Sequence, residues 1–118
     1  MNHGIKTIIY PVKDIAKAKT FYNALLGIEP TMDESYYVGY TIGDQQIGLD
    51  PNVDPNRHNH GITGPISYYH VDDIKQSLGI LLSTGAQIHQ EIKDVGGGKL
   101  VASVKDTDGN IIGLIQVA

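Results

Sequence analysis

The sequence contains no cysteine. Disulfides, thiolate metal sites and cysteine nucleophiles are therefore excluded, and the composition fits a reducing compartment, so a cytoplasmic location is expected. No apolar run approaches the roughly 20 residues that a membrane-spanning helix needs. The N-terminal MNHGIKTIIYP is too short and too polar to read as a signal peptide. Basic residues are the minority, with 9 Lys and Arg against 13 Asp and Glu, a net charge of −4 and a pI near 5.6. That balance argues against nucleic acid or an anionic membrane as the main partner. Tryptophan is missing and phenylalanine occurs once, so the aromatic surface rests on seven tyrosines.

What is present is a core-forming composition, 41% hydrophobic over 118 residues, enough for one domain spanning 1–118. The chain is organised around Thr7 to Gly27. Ile8, Tyr10 and Val12 alternate with Thr7, Ile9 and Pro11, the period of a two-faced strand. Asp14 stands where a helix N-cap belongs, Ile15, Ala18, Tyr22 and Leu25 form an apolar stripe, and Gly27 supplies the stop. A second copy begins at Ile66, with Asp73 as cap, Ile74, Leu78 and Leu81 as stripe, and Gly85 as stop. The two caps are 59 residues apart and the two stops 58, which reads as an internal duplication.

After the first unit, a short edge strand is expected within Glu29 to Glu34. Tyr36 to Ile42 and Gln45 to Asp50 then form a hairpin turned by Gly43 and Asp44. Asn52 to Pro65 is dense in Pro, Gly and Asn and reads as a linker between the copies. The second copy continues with a strand over Gln87 to Val95 and a turn at Gly96 to Gly98. A closing hairpin, Leu100 to Lys105 and Asn110 to Val117, turns on Asp106 to Gly109. Each half therefore reads β-α-β-β-β with a helix over one sheet face. The class is α+β, with module one over about 1–51, a linker over about 52–65 and module two over about 66–118.

VKDIAKAKTFYNALLG and the C-terminal DTDGNIIGLIQ resemble the glyoxalase/bleomycin-resistance/extradiol-dioxygenase superfamily, the vicinal oxygen chelate proteins. The resemblance implies two βαβββ modules forming an eight-stranded curved mixed sheet around a cleft, and a homodimer. In metal-dependent members a His or Gln about seven residues before each capping Asp, and a Glu on the last strand of each module, chelate one divalent ion. Those positions here are Thr7, Ile66, Gly48 and Gly113. A threonine hydroxyl does not replace two imidazoles and two carboxylates, so no metal and no cofactor is expected.

The remaining candidates are weighed against plainer roles. Gly48 and Gly113 either relieve sheet curvature or a bulge, or clear a cleft floor for a ligand lying against the backbone. Strand parity places Tyr68 and His70 on the cleft side and Tyr69 under the helix. Tyr36 and Tyr40 share a face that is counted as ligand-facing, and Gln46 and Asp50 share the face of Gly48. His70 is the candidate for acid–base work, against a satisfied structural histidine. His58 and His60 form a tempting pair without a fixed carboxylate beside them, Gly96 to Lys99 lacks the spacing of a phosphate loop, and Asp106 and Asp108 belong to a turn. The expected function is metal-independent binding of an organic, aromatic or cationic small molecule by Thr7, Tyr36, Tyr40, Gln46, Gly48, Tyr68, His70 and Gly113. The alternative is a divergent lyase, isomerase or oxygenase of the superfamily that uses His70 and cleft tyrosines or a recruited metal.

Overall fold

Asp14 begins the first helix by accepting the backbone N–H groups of Ala16 and Lys17 on its Oδ1, at 3.0 and 3.1 Å. Gly27 ends that helix at φ 68°, in the left-handed region. Asp73 repeats the device through Gln76 N–H at 3.1 Å. The second helix stops one residue earlier than expected, on Thr84, with Gly85 following at φ 98°.

The computed structural model describes residues 3, 5–52 and 66–117. In chain order the elements are β1 (Thr7–Pro11), α1 (Ile15–Leu26), β2 (Met32–Glu34), β3 (Tyr37–Ile42), β4 (Gln45–Asp50), β5 (Ser67–His70), α2 (Ile74–Ser83), β6 (Gln87–Asp94), β7 (Leu100–Lys105) and β8 (Ile111–Gln116). They make two βαβββ modules, each with a four-stranded mixed sheet, ordered β1-β4-β3-β2 and β5-β8-β7-β6. The chain divides into two compact units, Met1–His58 and Asn59–Ala118. The expected linker, with His58 and His60, lies outside the described residues beyond Asn52. No helix among the described residues is long and apolar enough to cross a membrane.

In both modules the first and last strands run parallel, and the remaining neighbours run antiparallel. Directly paired residues share a face, so register sorts every side chain. In module one Tyr10, Val12, Val38, Tyr40, Ile47 and Leu49 are buried on the side of α1, which contributes Ala18, Phe21 and Tyr22. Phe21 displaces the stripe expected from Ile15, Ala18, Tyr22 and Leu25. The buried line centres on Phe21, and Ile15 and Leu25 sit half-buried at its margins. Tyr10 stacks on Tyr22 with ring centroids 5.1 Å apart, and Phe21 meets Tyr22 edge-on at 4.8 Å. In module two Ile74, Leu78 and Leu81 of α2 close over Ala102, Val104, Ile112 and Leu114. A side chain ties this helix down: Gln116 Oε1 accepts the Ile74 N–H at 2.8 Å.

Tyr40 corrects an expected assignment. It is fully buried on the α1 side, and its hydroxyl donates to Asn23 Oδ1 at 2.6 Å. Tyr40 pairs with Ile47 and Val38 with Leu49, so the face these residues share is the packed one and not a ligand-facing one. Tyr36 precedes β3 and is exposed, so strand parity does not govern it.

Burial pushes the Tyr40 phenol well above its ordinary value, with the negative charges of Asp33 and Glu29 acting in the same direction. Its proton is thus held more tightly in the folded than in the unfolded chain. The associated stability is complete below the unfolded tyrosine pKa of about 10 and is lost as pH rises towards the folded value. Tyr40→Phe should cost about 1 kcal/mol at neutral pH through the lost hydrogen bond to Asn23. Urea unfolding of both proteins should show this difference shrinking above pH about 10. A difference that grows with alkalinity would contradict this account.

Candidate functional site

The faces that α1 and α2 leave uncovered hold most of the expected site residues. In module one this helix-free face carries Thr7 and Ile9 from β1, Gln46, Gly48 and Asp50 from β4, Tyr37 and Gly39 from β3, and Met32 from β2. Gly39 and Gly48 are directly paired, and the Tyr37 ring lies across them. A Cβ built on Gly48 would overlap the Tyr37 hydroxyl and sit 2.6 Å from its Cζ, and one on Gly39 would come within 3.2 Å of Cε2. Gln46 accepts the Thr41 hydroxyl on Oε1 at 3.2 Å, and Asp50 accepts the Asn52 N–H at 2.8 Å as a strand-end turn former.

Module two makes the same arrangement from a different strand. Tyr68 pairs directly with Gly113, and its ring lies over that glycine. A Cβ on Gly113 would stand 2.5 Å from Tyr68 Cδ1, 2.7 Å from Cε1 and 2.8 Å from Cγ. Tyr68 itself is 45% exposed. His70 lies on the same face at the end of β5, exposed and without a hydrogen bond or ion pair among the described residues. Tyr69 faces α2, paired with the buried Leu114.

These contacts decide between the two readings of the glycines. Both sit in regular ladder pairs on either side, and neither has a positive φ, so they mark no bulge and no special backbone conformation. The room they clear is taken by the chain's own tyrosine rings. A ligand lying against the backbone at Gly48 or Gly113 would have to displace a ring first.

The same observation tests the divalent ion that the resemblance brings with it. Thr7 offers one hydroxyl, Ile66 offers no donor, and Gly48 and Gly113 have no side chain. A glutamate at either glycine would have to grow through a tyrosine ring. Among the described residues no three His, Asp or Glu side chains gather closely enough to hold a metal ion. These residues do not fit the ion.

Three residues on these faces are not among the expected site residues. Tyr37 alternates with Val38 on β3, and its side of the strand is the helix-free one. Ser103 is 1% exposed and pairs directly with Gly113. His89 Nδ1 shares a hydrogen bond of 2.8 Å with Ser103 Oγ, across a register shift in β6 between Ile88 and Gln90. A β-bulge breaks the alternation from which parity is read, so His89 has no legible facing in the sequence.

A family model described as the Glyoxalase/Bleomycin resistance protein/Dioxygenase superfamily matches residues 4–114. Among solved structures, a glyoxalase/bleomycin resistance protein from Albidiferax ferrireducens T118 superposes with a TM-score of 0.75 at 22% identity, covering 95% of this chain and 98% of its own. A glyoxalase/bleomycin resistance protein/dioxygenase family enzyme from Burkholderia phytofirmans PsJN gives 0.79 at 15% identity, covering 96% and 98%. A lactoylglutathione lyase from Agrobacterium tumefaciens gives 0.70 at 17% identity, covering 98% and 94%. No curated protein matches the chain by sequence. The structural likenesses speak to the fold alone.

The two glycines should respond differently to a methyl group. Tyr37 meets Gly48 with the far end of its side chain, which can swing aside, whereas Tyr68 presents Cγ, next to its own backbone, to Gly113. Gly113→Ala should cost about 1–3 kcal/mol by overpacking, and Gly48→Ala clearly less. In a Tyr68→Ala background the cost of Gly113→Ala should largely vanish. Chemical denaturation of the four proteins reads this directly, and an unchanged cost in that background would remove the ring from the explanation.

Proposed function

Since the chain belongs to the glyoxalase/bleomycin resistance protein/dioxygenase superfamily, we propose that it is a metal-independent member that binds a small organic, aromatic molecule on its helix-free sheet faces. The observation carrying this reading is Tyr68, a ring laid on Gly113 in a residue that is 45% exposed. Its hydroxyl makes no hydrogen bond among the described residues. A half-exposed phenol held flat gives a planar ligand both a stacking surface and a hydrogen-bonding group, at little loss of side-chain freedom. The four family positions for a chelated ion carry no donor set, so the reading requires no ion.

Thermal unfolding of chelator-treated protein tests this against Ni²⁺, Zn²⁺, Mn²⁺ and a panel of single-ring aromatic compounds of either charge. A ligand that binds only the folded chain stabilises it by about 2.7 kcal/mol at a hundredfold excess over Kd. At least one ring compound should raise the midpoint by several degrees, Tyr68→Ala should abolish that shift, and the ions should leave the midpoint unchanged. Specific stabilisation by an ion that is lost on substituting Thr7 or His70 would overturn the metal-independent reading.

A further inference from the structure

Beyond the tyrosine ring, the helix-free face of module two carries a built polar cluster and two lysines. His89 is exposed, yet its orientation is set by the bond from Nδ1 to the buried Ser103 Oγ. Ser103 is next to Gly113 across the ladder, and Gly113 is next to Tyr68, so three neighbouring strands bring these side chains into one row. Two residues along β7, on the same face, stands Lys105. Lys93, paired with Val101, adds a second ammonium. Neither lysine has an ion pair among the described residues.

Several carboxylates of module two are engaged in caps and turns. Asp94 pairs with Leu100, on the side of the buried Ala102 and Val104, and accepts the Gly96 N–H. Asp106 commits both oxygens to its own turn, through the N–H groups of Asp108 and Asn110 and the Asn110 amide. Asp73 caps α2. Glu91 falls in the second register shift of β6, without a ladder partner of its own. Lys93 and Lys105 thus place two ammonium groups on this face in a chain whose net charge is −4.

We propose that this face is a site for a small aromatic carboxylate, with the ring against Tyr68 and the carboxylate received by His89 and Lys105. The proposal rests on the binding reading above and narrows its ligand class. A carboxylate beside Nε2 needs a proton there. In the neutral imidazole this selects the tautomer in which the Ser103 hydroxyl donates to Nδ1 and Nε2–H points away from the sheet. Ser103 is thus a positioning residue: it fixes the tautomer and the ring angle without meeting the ligand. Lys105 supplies charge, and charge-assisted hydrogen bonds of this kind are the stronger ones.

The test is a titration of the full chain with 4-hydroxybenzoate, followed by NMR of the His89 ring nitrogens, with benzamidine and phenol as cationic and neutral counterparts. 4-Hydroxybenzoate should bind at least about tenfold more tightly than benzamidine, and its affinity should fall with added salt. Lys105→Gln and His89→Leu should each weaken it about tenfold; Lys105→Gln should leave the unfolding midpoint in place, whereas His89→Leu should lower it somewhat by leaving the buried Ser103 hydroxyl without its partner. Ser103→Ala should weaken it less and shift the ring-nitrogen signals towards the other tautomer, a change that simple loss of packing does not produce. If benzamidine or phenol binds and 4-hydroxybenzoate does not, the binding reading survives and the anionic site is wrong. If 4-hydroxybenzoate binds but ignores both Lys105→Gln and His89→Leu, the anionic site is again wrong. If none of the three rings binds the folded chain, both fall.

Discussion

Two places in this chain leave no room for a Cβ, and much of its chemistry follows from them. At Gly48 on β4 and Gly113 on β8 the sheet surface drops to bare backbone, and a tyrosine from a neighbouring strand lies down on it. The ring gains van der Waals contact along the strand. The resemblance to the superfamily puts the chelating carboxylates of metal-dependent members at these two positions. Any side chain at either glycine must first displace a ring.

The duplicated modules reach this end by different routes. Module one uses Tyr37 from β3, and module two uses Tyr68 from β5. At the equivalent register positions stand Ile9, paired with Gly48, and Ser103, paired with Gly113 where module one has Gly39. The two helix-free faces therefore differ in character. That of module one is mainly apolar around Ile9, Met32 and Tyr37, while that of module two carries the His89–Ser103 pair and the lysines. The helix-covered faces remain alike, with branched aliphatics from the central strands beneath a capped amphipathic helix.

The fold was legible because its signals are local and repeated. Asp14 and Asp73 announce helix starts, Gly27 announces a stop, and period-2 alternation in Thr7–Pro11 and Gln45–Asp50 separates two faces. Which of the two faces is covered is not a local property, and there the sequence misleads. Val38 and Tyr40 share a face as parity requires, but Tyr40 looked like a ligand group and is a core residue bonded to Asn23. Tyr37, on the opposite side of β3, is the ring that covers Gly48. Gly48 and Gly113 were identified as positions, whereas their occupants depend on side-chain rotamers from adjacent strands. His89 was hidden by the bulge in β6, where alternation fails.

Tyrosine rings held on Gly48 and Gly113 are what the whole account turns on, and proton NMR reads them directly. An α-proton beneath an aromatic face is shifted upfield by the ring current and shows nuclear Overhauser contacts to the ring protons. The account predicts upfield-shifted α-protons at Gly48 and Gly113, with contacts to Tyr37 and Tyr68 respectively, and loss of each shift on Tyr37→Ala or Tyr68→Ala. Ordinary glycine shifts without ring contacts would mean that both glycines are bare, and the packing of Tyr37 and Tyr68 over them would be wrong.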